Sequence, residues 1–240
     1  MIKLAVSGCA GKMGARIIDL ALSDEDFRVV AAIEAKGHQA IGSKIGNIKI
    51  SDDLSVVNLA DCLIEFTSPE ATIEHLNACV KYRKSMVIGT TAMNDEQKKI
   101  IADSARNIAV VFSPNMSIGV NLLFKLAQEA ASRIPDYSVK IIEAHHVHKK
   151  DAPSGTAKQL AQVIKDSAGK DVSDIQSIRE GEIIGDHEVI FESQWDTIKL
   201  SHSAKTRDIF AKGALTAAKF LQGKKSGLFS MQDVLETIKK

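Results

Sequence analysis

The sequence predicts an α/β protein in which a doubly wound parallel sheet is joined to a second, mixed α+β domain. Three observations point there. From Met1 to Asn115 short apolar runs alternate with amphipathic segments, the rhythm of parallel strands covered by helices. A glycine-rich turn, Gly8-Cys9-Ala10-Gly11-Lys12-Met13-Gly14, separates the first apolar run from the first amphipathic one. After Asn115 helices mix with alternating segments, which suits antiparallel strands with one wet face.

Taken in order, Ile2 to Val6 reads as the first strand, Met13 to Leu22 as a helix and Val29 to Ile33 as the second strand. Leu63 to Phe66, Met86 to Ile88 and Ile108 to Phe112 continue the strands, with helices at Pro69 to Tyr82 and Asn94 to Ala105 between them. Next come a helix at Gly119 to Ser132, a strand at Val139 to Ala144 and a helix at Thr156 to Ala168. Glu188 to Glu192 and Asp196 to His202 alternate as strands do. Ile209 to Gln222 is again helical, Gly227-Leu228-Phe229-Ser230 reads as a turn, and Met231 to Ile238 as a last helix. The expected division is a first domain at 1–117, completed by 209–240, and a second at 118–208.

Composition narrows the function. The 31 Lys and Arg against 30 Asp and Glu leave a formal charge of +1, so no strong field gathers polyanions and nucleic acid is not an expected partner. The longest apolar runs, Val29 to Ile33 and Ile108 to Phe112, are far below the roughly 20 residues that cross a bilayer. Met1 to Val6 reads as a strand, not an export signal. Cys9, Cys62 and Cys79 contain no close pair, which argues against a disulfide framework or structural zinc and makes a reducing cytoplasm the simplest setting.

The glycine turn follows a strand and opens a helix, the context that a Rossmann-like dinucleotide site requires. Glycines let the backbone turn tightly beside a pyrophosphate, whose charge rests on the free amides of the helix start. Glu34 ends the second strand, 20 residues after Gly14, where a carboxylate accepts from ribose hydroxyls. A glycine triplet alone is more often a plain tight turn; strand context and Glu34 together reverse that preference. Lys12 and Lys36 are either phosphate contacts or solvated surface lysines. The turns Gly89-Thr90-Thr91 and Ser113-Pro114-Asn115-Met116-Ser117 follow strands too, and are either ordinary loops or walls for the nicotinamide, since strand ends of this kind line the ligand crevice of an open parallel sheet.

The densest chemistry lies in Glu143-Ala144-His145-His146-Val147-His148-Lys149-Lys150-Asp151-Ala152-Pro153-Ser154-Gly155-Thr156. Three histidines invite a metal, but strand alternation turns His145 away from His146 and His148, so a metal is not expected. The helix start at Pro153-Ser154-Gly155-Thr156 is either a plain N-cap by Ser154 or, with Lys149 just upstream, a cradle for carboxylates. His145 has the right ordinary pKa to supply a proton. A dinucleotide turn, an anion cradle and a proton donor together describe hydride reduction of a small acidic substrate. A noncatalytic redox sensor explains the glycine turn and Glu34 but leaves the His145–Thr156 cluster without purpose. A dehydrogenase for another small acid differs only in substrate.

At these residues, and at Phe66-Thr67 and Gly227-Leu228-Phe229, the chain resembles the 4-hydroxy-tetrahydrodipicolinate reductase (dihydrodipicolinate reductase) family of the diaminopimelate and lysine pathway. The resemblance implies a homotetramer whose protomer has a nucleotide domain, completed by the C-terminal tail, and a second domain that binds substrate and carries the tetramer contacts. It implies NADH or NADPH as cofactor and hydride transfer to C4 of a cyclic imine bearing two carboxylates, with loss of its hydroxyl. By position, Gly8, Gly11, Lys12, Met13, Gly14, Glu34, Phe66, Gly89, Thr90, Thr91, Ser113, Pro114, Asn115 and Met116 match cofactor contacts. His146, Lys149, Gly155 and Thr156 match substrate contacts, and His145 and Lys149 match the groups that deliver the proton. Two features depart from the pattern: Ala35 and then Lys36 stand where many members place an arginine after the ribose-binding acid, and the segment before Ser177 is short, so a trimmed oligomer-side loop is expected.

Overall fold

Two compact units make up the chain in the computed structural model, which describes residues 1–238: Met1–Met116 with the segment from Phe210 onward, and Ser117–Ile209. In the first unit, β-branched and apolar runs form β1 (Ile2–Ser7), β2 (Phe27–Ile33), a short hairpin of β3 (Lys44–Ile45) and β4 (Ile48–Ser51), β5 (Cys62–Glu65), β6 (Ser85–Ile88) and β7 (Ala109–Phe112). Helices α1 (Lys12–Leu22), α2 (Pro69–Tyr82) and α3 (Asp95–Ser104) connect them. Ser68 caps α2 with Pro69 behind it, and Asn94 with Gln97 forms a capping box on α3, so the polar residues at these starts satisfy amides that the helices leave open.

The strand order is β12-β7-β6-β5-β1-β2-β4-β3, parallel from β12 to β4. The chain runs outward from β1 to β2 and then returns to β5 on the other side of β1. That reversal opens a crevice at the carboxyl ends of β1 and β5. Leu4, Ile17, Ile33, Leu63, Ile64, Leu76, Met86 and Ile88 are fully buried around the sheet, each contributing about 1.5–3 kcal/mol relative to exposure. Cys9, Cys62 and Cys79 are free and buried; burial, and for Cys9 also the Glu34 charge, raises the Cys9 thiol to about 11, and burial raises Cys62 to about 12. They act as small core residues, not nucleophiles.

The segment after Ile209 completes this unit. Helix α6 (Asp208–Phe220) packs Gly213 so closely on the Met116 carbonyl that a Cβ there would overlap it, and Lys219 bonds Asp24 at 3.0 Å and Asp26 at 2.6 Å. Gly227–Phe229, expected as a turn, is instead a strand, β12, parallel to β7. Three residues are too few to show a period, so pairing and not patterning defines it. Helix α7 (Met231–Thr237) follows, with a Ser230–Asp233 capping box.

The second unit is a four-stranded sheet, β11 (Thr197–Ser203), β10 (Asp186–Glu192), β8 (Ser138–His145) and β9 (Asp174–Arg179), with helices α4 (Ile118–Arg133) and α5 (Gly155–Ala168). Its core joins Val120, Leu123, Phe124, Leu160, Ile164, Val189 and Phe191. β10 runs antiparallel to β8 and β11, whereas β9 is parallel to β8. The sequence pattern alone leaves β9 unassigned, since its polar residues outnumber its apolar ones.

Candidate active site

At the carboxyl end of β1 the chain must reverse into α1, and Gly8 does so with φ +64°, a region that favours glycine. A Cβ at Gly8 would lie 2.8 Å from the Phe66 carbonyl, and one at Gly14 would overlap the turn itself. The α1 N-cap is Gly11, with no side-chain cap and no acidic residue in the first turn, unlike α2, α3, α4, α5 and α7, which serine or asparagine caps. Its first amides and dipole are therefore offered to an external anion. Glu34 Oε2 accepts from the Ala10 amide at 2.9 Å and Oε1 from Ala35 at 3.1 Å, so the carboxylate is fixed beside the turn with lone pairs remaining for hydroxyls. These features fit a nicotinamide dinucleotide, which supplies hydride when bound.

The other cofactor candidates sit at neighbouring strand ends of the same sheet. Phe66 follows β5 with its ring against Gly89, where a Cβ would overlap it. Thr90 is buried and Thr91 exposed; Ser113 Oγ donates to the Asn115 carbonyl at 2.8 Å, closing that turn. Lys12, Lys36 and Pro114 are exposed. Met116 is 1% exposed, so its side chain belongs to the core, and its carbonyl packs against Gly213 of α6.

In the second unit β8 ends at His145, and strand geometry puts Glu143 and His145 on one face. The register sets His187 opposite Glu143 on β10 and Arg179 opposite His145 on β9. Glu143 Oε2 meets His145 Nδ1 at 2.5 Å, and the Arg179 guanidinium donates to both carboxylate oxygens at 2.8 and 3.0 Å. The Ser154 amide donates to Glu143 Oε1 at 3.3 Å; its hydroxyl lies 3.2 Å from His187 Nε2 and caps the amide of Ala157. Burial opposes charge on Glu143, but Arg179, Ser177 and His145 overcome it and hold the carboxyl at about 2. Burial lowers the His145 pKa, with the Glu143 carboxylate pulling the other way, and burial with His145 nearby lowers His187 to about 4.

With Nδ1 engaged by the carboxylate, His145 Nε2 is the ring position left for a substrate proton, and Gly185 stands beside it without a side chain. Lys149 Nζ pairs with Asp151 at 2.7 Å, close enough to His145 for its charge to weigh on the imidazole. The strand ends before His146, so alternation no longer governs it: His146 is half-buried and His148 exposed, their rings 6.1 Å apart. Among the described residues the trio with metal-ligand proximity is Glu143, His145 and His187, with ligand atoms within 4.8 Å. Arg179 already occupies both oxygens of that carboxylate, and its charge repels a cation. Next to Gly155 the space is open, since a Cβ there would meet nothing within 4 Å.

Arg179 and His187 were not singled out by the sequence, and Glu143 and Ser154 appeared there without this role. Pairing across β8, β9 and β10 assembles them; alternation within β8 pairs Glu143 with His145, but no linear motif reaches Arg179.

Residues 2–116 match the family model for the dihydrodipicolinate reductase N-terminus, and residues 119–235 the one for its C-terminus. The chain belongs to the dihydrodipicolinate reductase family. A 4-hydroxy-tetrahydrodipicolinate reductase of Geotalea daltonii is 40% identical over 98% of this chain and 99% of its own length. One from Nitrosomonas eutropha is 41% identical over 98% of each. A dipicolinate-bound dihydrodipicolinate reductase from Paenisporosarcina sp. TG-14 superposes with a TM-score of 0.86 at 26% identity, covering 97% of this chain and 98% of that one. Membership makes this protein a pyridine-nucleotide-dependent oxidoreductase of diaminopimelate and lysine biosynthesis, with the activity of 4-hydroxy-tetrahydrodipicolinate reductases. Alignment with the Geotalea relative spans 264 positions against the 240 residues here, and α5 passes to β9 through residues 169–173 alone.

Proposed function

We propose that the first unit binds NADH or NADPH and the second binds 4-hydroxy-tetrahydrodipicolinate and protonates it. One hydride reaches C4, one proton enters and one water leaves, giving tetrahydrodipicolinate. Gly8, Gly11, Lys12, Met13 and Gly14 take the pyrophosphate on the uncapped start of α1, Glu34 takes the ribose hydroxyls, and Phe66, Gly89–Thr91 and Ser113–Met116 border the nicotinamide. Lys149, His146, Gly155 and Thr156 hold the carboxylates. His145 delivers the proton from Nε2, and Lys149 assists. Carrying this division of roles is the Arg179–Glu143–His145 chain: a buried, charge-paired carboxylate fixes the imidazole's orientation beside the start of α5, where Gly155 leaves the space open. The dicarboxylate named with the Paenisporosarcina relative supports a substrate of that chemistry.

Ala35 removes a fixed cation after Glu34, and Lys36 supplies a mobile one, so both cofactors are used. A homotetramer assembled through the second unit is supported by its edge strand β11 and by Trp195, 85% exposed in the hairpin before it, and a reducing cytoplasm by the three free cysteines. Among the described residues no helix is long and apolar enough to cross a membrane.

The test couples dihydrodipicolinate synthase and its substrates to this protein and follows loss of NADH or NADPH absorbance. Turnover is expected. Nucleotide binding without turnover would mean a sensor, and turnover only with another small acid would reassign the substrate.

A further inference from the structure

The first unit contains a buried carboxylate that the roles above leave unused. Glu65 ends β5 and is 0% exposed. Its Oε2 accepts from the Ser7 hydroxyl and lies 2.6 Å from His75 Nδ1; its Oε1 accepts from the Thr67 hydroxyl and lies 3.4 Å from that of Thr72. The main-chain carbonyl of Glu65 also accepts the Gly89 amide at 2.9 Å. The rest of β5, Cys62 to Ile64, is apolar, and packing alone would be met by a further apolar side chain without the desolvation that a buried polar group brings. The carboxylate appears only where the strand meets the turns.

Each partner reaches a different turn. Ser7 precedes Gly8. Thr67 follows Phe66, whose carbonyl closes on Gly8, and the Thr67 amide donates to Thr90 Oγ1 at 3.0 Å. Thr72 and His75 anchor the group to α2. We propose that Glu65 is the positioning residue of the cofactor site: with His75 it locks the Ser7–Gly8, Phe66–Thr67 and Gly89–Thr90 turns into the one arrangement that accepts the dinucleotide. This inference rests on the assignment of those turns to NADH or NADPH.

The test measures NADH affinity by fluorescence titration without substrate, then steady-state KM and kcat, for wild type, Glu65→Gln, His75→Leu and His75→Asn, with Tm recorded for each. Glu65→Gln and His75→Leu are expected to raise the NADH Kd and KM about 10- to 100-fold, while kcat at saturating NADH and KM for the dicarboxylate stay within about threefold. His75→Asn, whose amide nitrogen replaces the Nδ1 donor, is expected to restore affinity. A purely structural role would lower Tm and leave the folded protein's Kd unchanged. Folded Glu65→Gln that binds NADH within twofold of wild type overturns the proposal; if that variant does not fold, equal affinities of His75→Leu and wild type overturn it. Wild type that binds neither nucleotide removes the cofactor assignment itself, a different result.

Discussion

His145 is an oriented imidazole. Its Nδ1 faces a carboxylate that Arg179 keeps ionised, so the ring cannot turn without breaking a charge-assisted bond. His145→Ala or Lys149→Ala is expected to lower kcat by about 10²- to 10⁴-fold in the coupled assay. Burial has lowered the His145 pKa, so if its imidazolium is the acid, kcat falls as pH rises through a value below 6.5. A limb of the pH profile that survives in His145→Gln assigns the proton to Lys149. Gly185→Ala offers a finer probe: its methyl would lie 3.1 Å from His145 Nε2, in a backbone conformation that alanine tolerates. We expect kcat to drop about 10-fold or more with Tm little changed; an unchanged kcat would separate Nε2 from the chemistry.

At the scale of elements, the start of α1 is the instructive case. Among the described residues five helices cap their starts with a serine or asparagine side chain, whereas α1, with Gly11 at its N-cap, has none. Glu34→Ala is expected to raise KM for NADH with kcat less affected, because ribose contacts serve ground and transition states alike. Unchanged KM removes Glu34 from the site. The glycine turn and Glu34 were legible because they are local: a strand, a turn and a helix read in sequence order. So was α2, whose Ser68-Pro69 start marks its boundary. The Glu143–Arg179–His187 contacts were illegible for the opposite reason. They lie 36 and 44 residues apart in the chain and meet only through strand register, which a single sequence does not encode as a motif. The β3–β4 hairpin and β12 escaped because strands of two to four residues carry no readable period, and these lack the unbroken run of three or more apolar residues that marks β5, β6 and β7.

For the whole molecule, buried ionisable groups tie stability to pH. His187 has its pKa depressed from 6.5 to about 4, so between those values the unfolded chain takes up a proton that the folded one refuses. Stability from this group is full above pH 6.5 and is lost as pH falls toward 4. Glu143, depressed from 4.5 to about 2, extends the loss below pH 4.5. Thermal unfolding followed from pH 7.5 to 4 is expected to show Tm falling with pH, and His187→Gln to flatten the part above pH 4.5. An equal slope in the variant would place the titration elsewhere.

The strand β12 pairs along β7 although the whole second unit lies between them in the chain. During synthesis the first half of the sheet therefore leaves the ribosome with β7 as a bare edge, and it waits about a hundred residues for its neighbour. Nascent chains arrested before Gly227 should aggregate or recruit chaperones, and release of the segment that carries β12 should cure them.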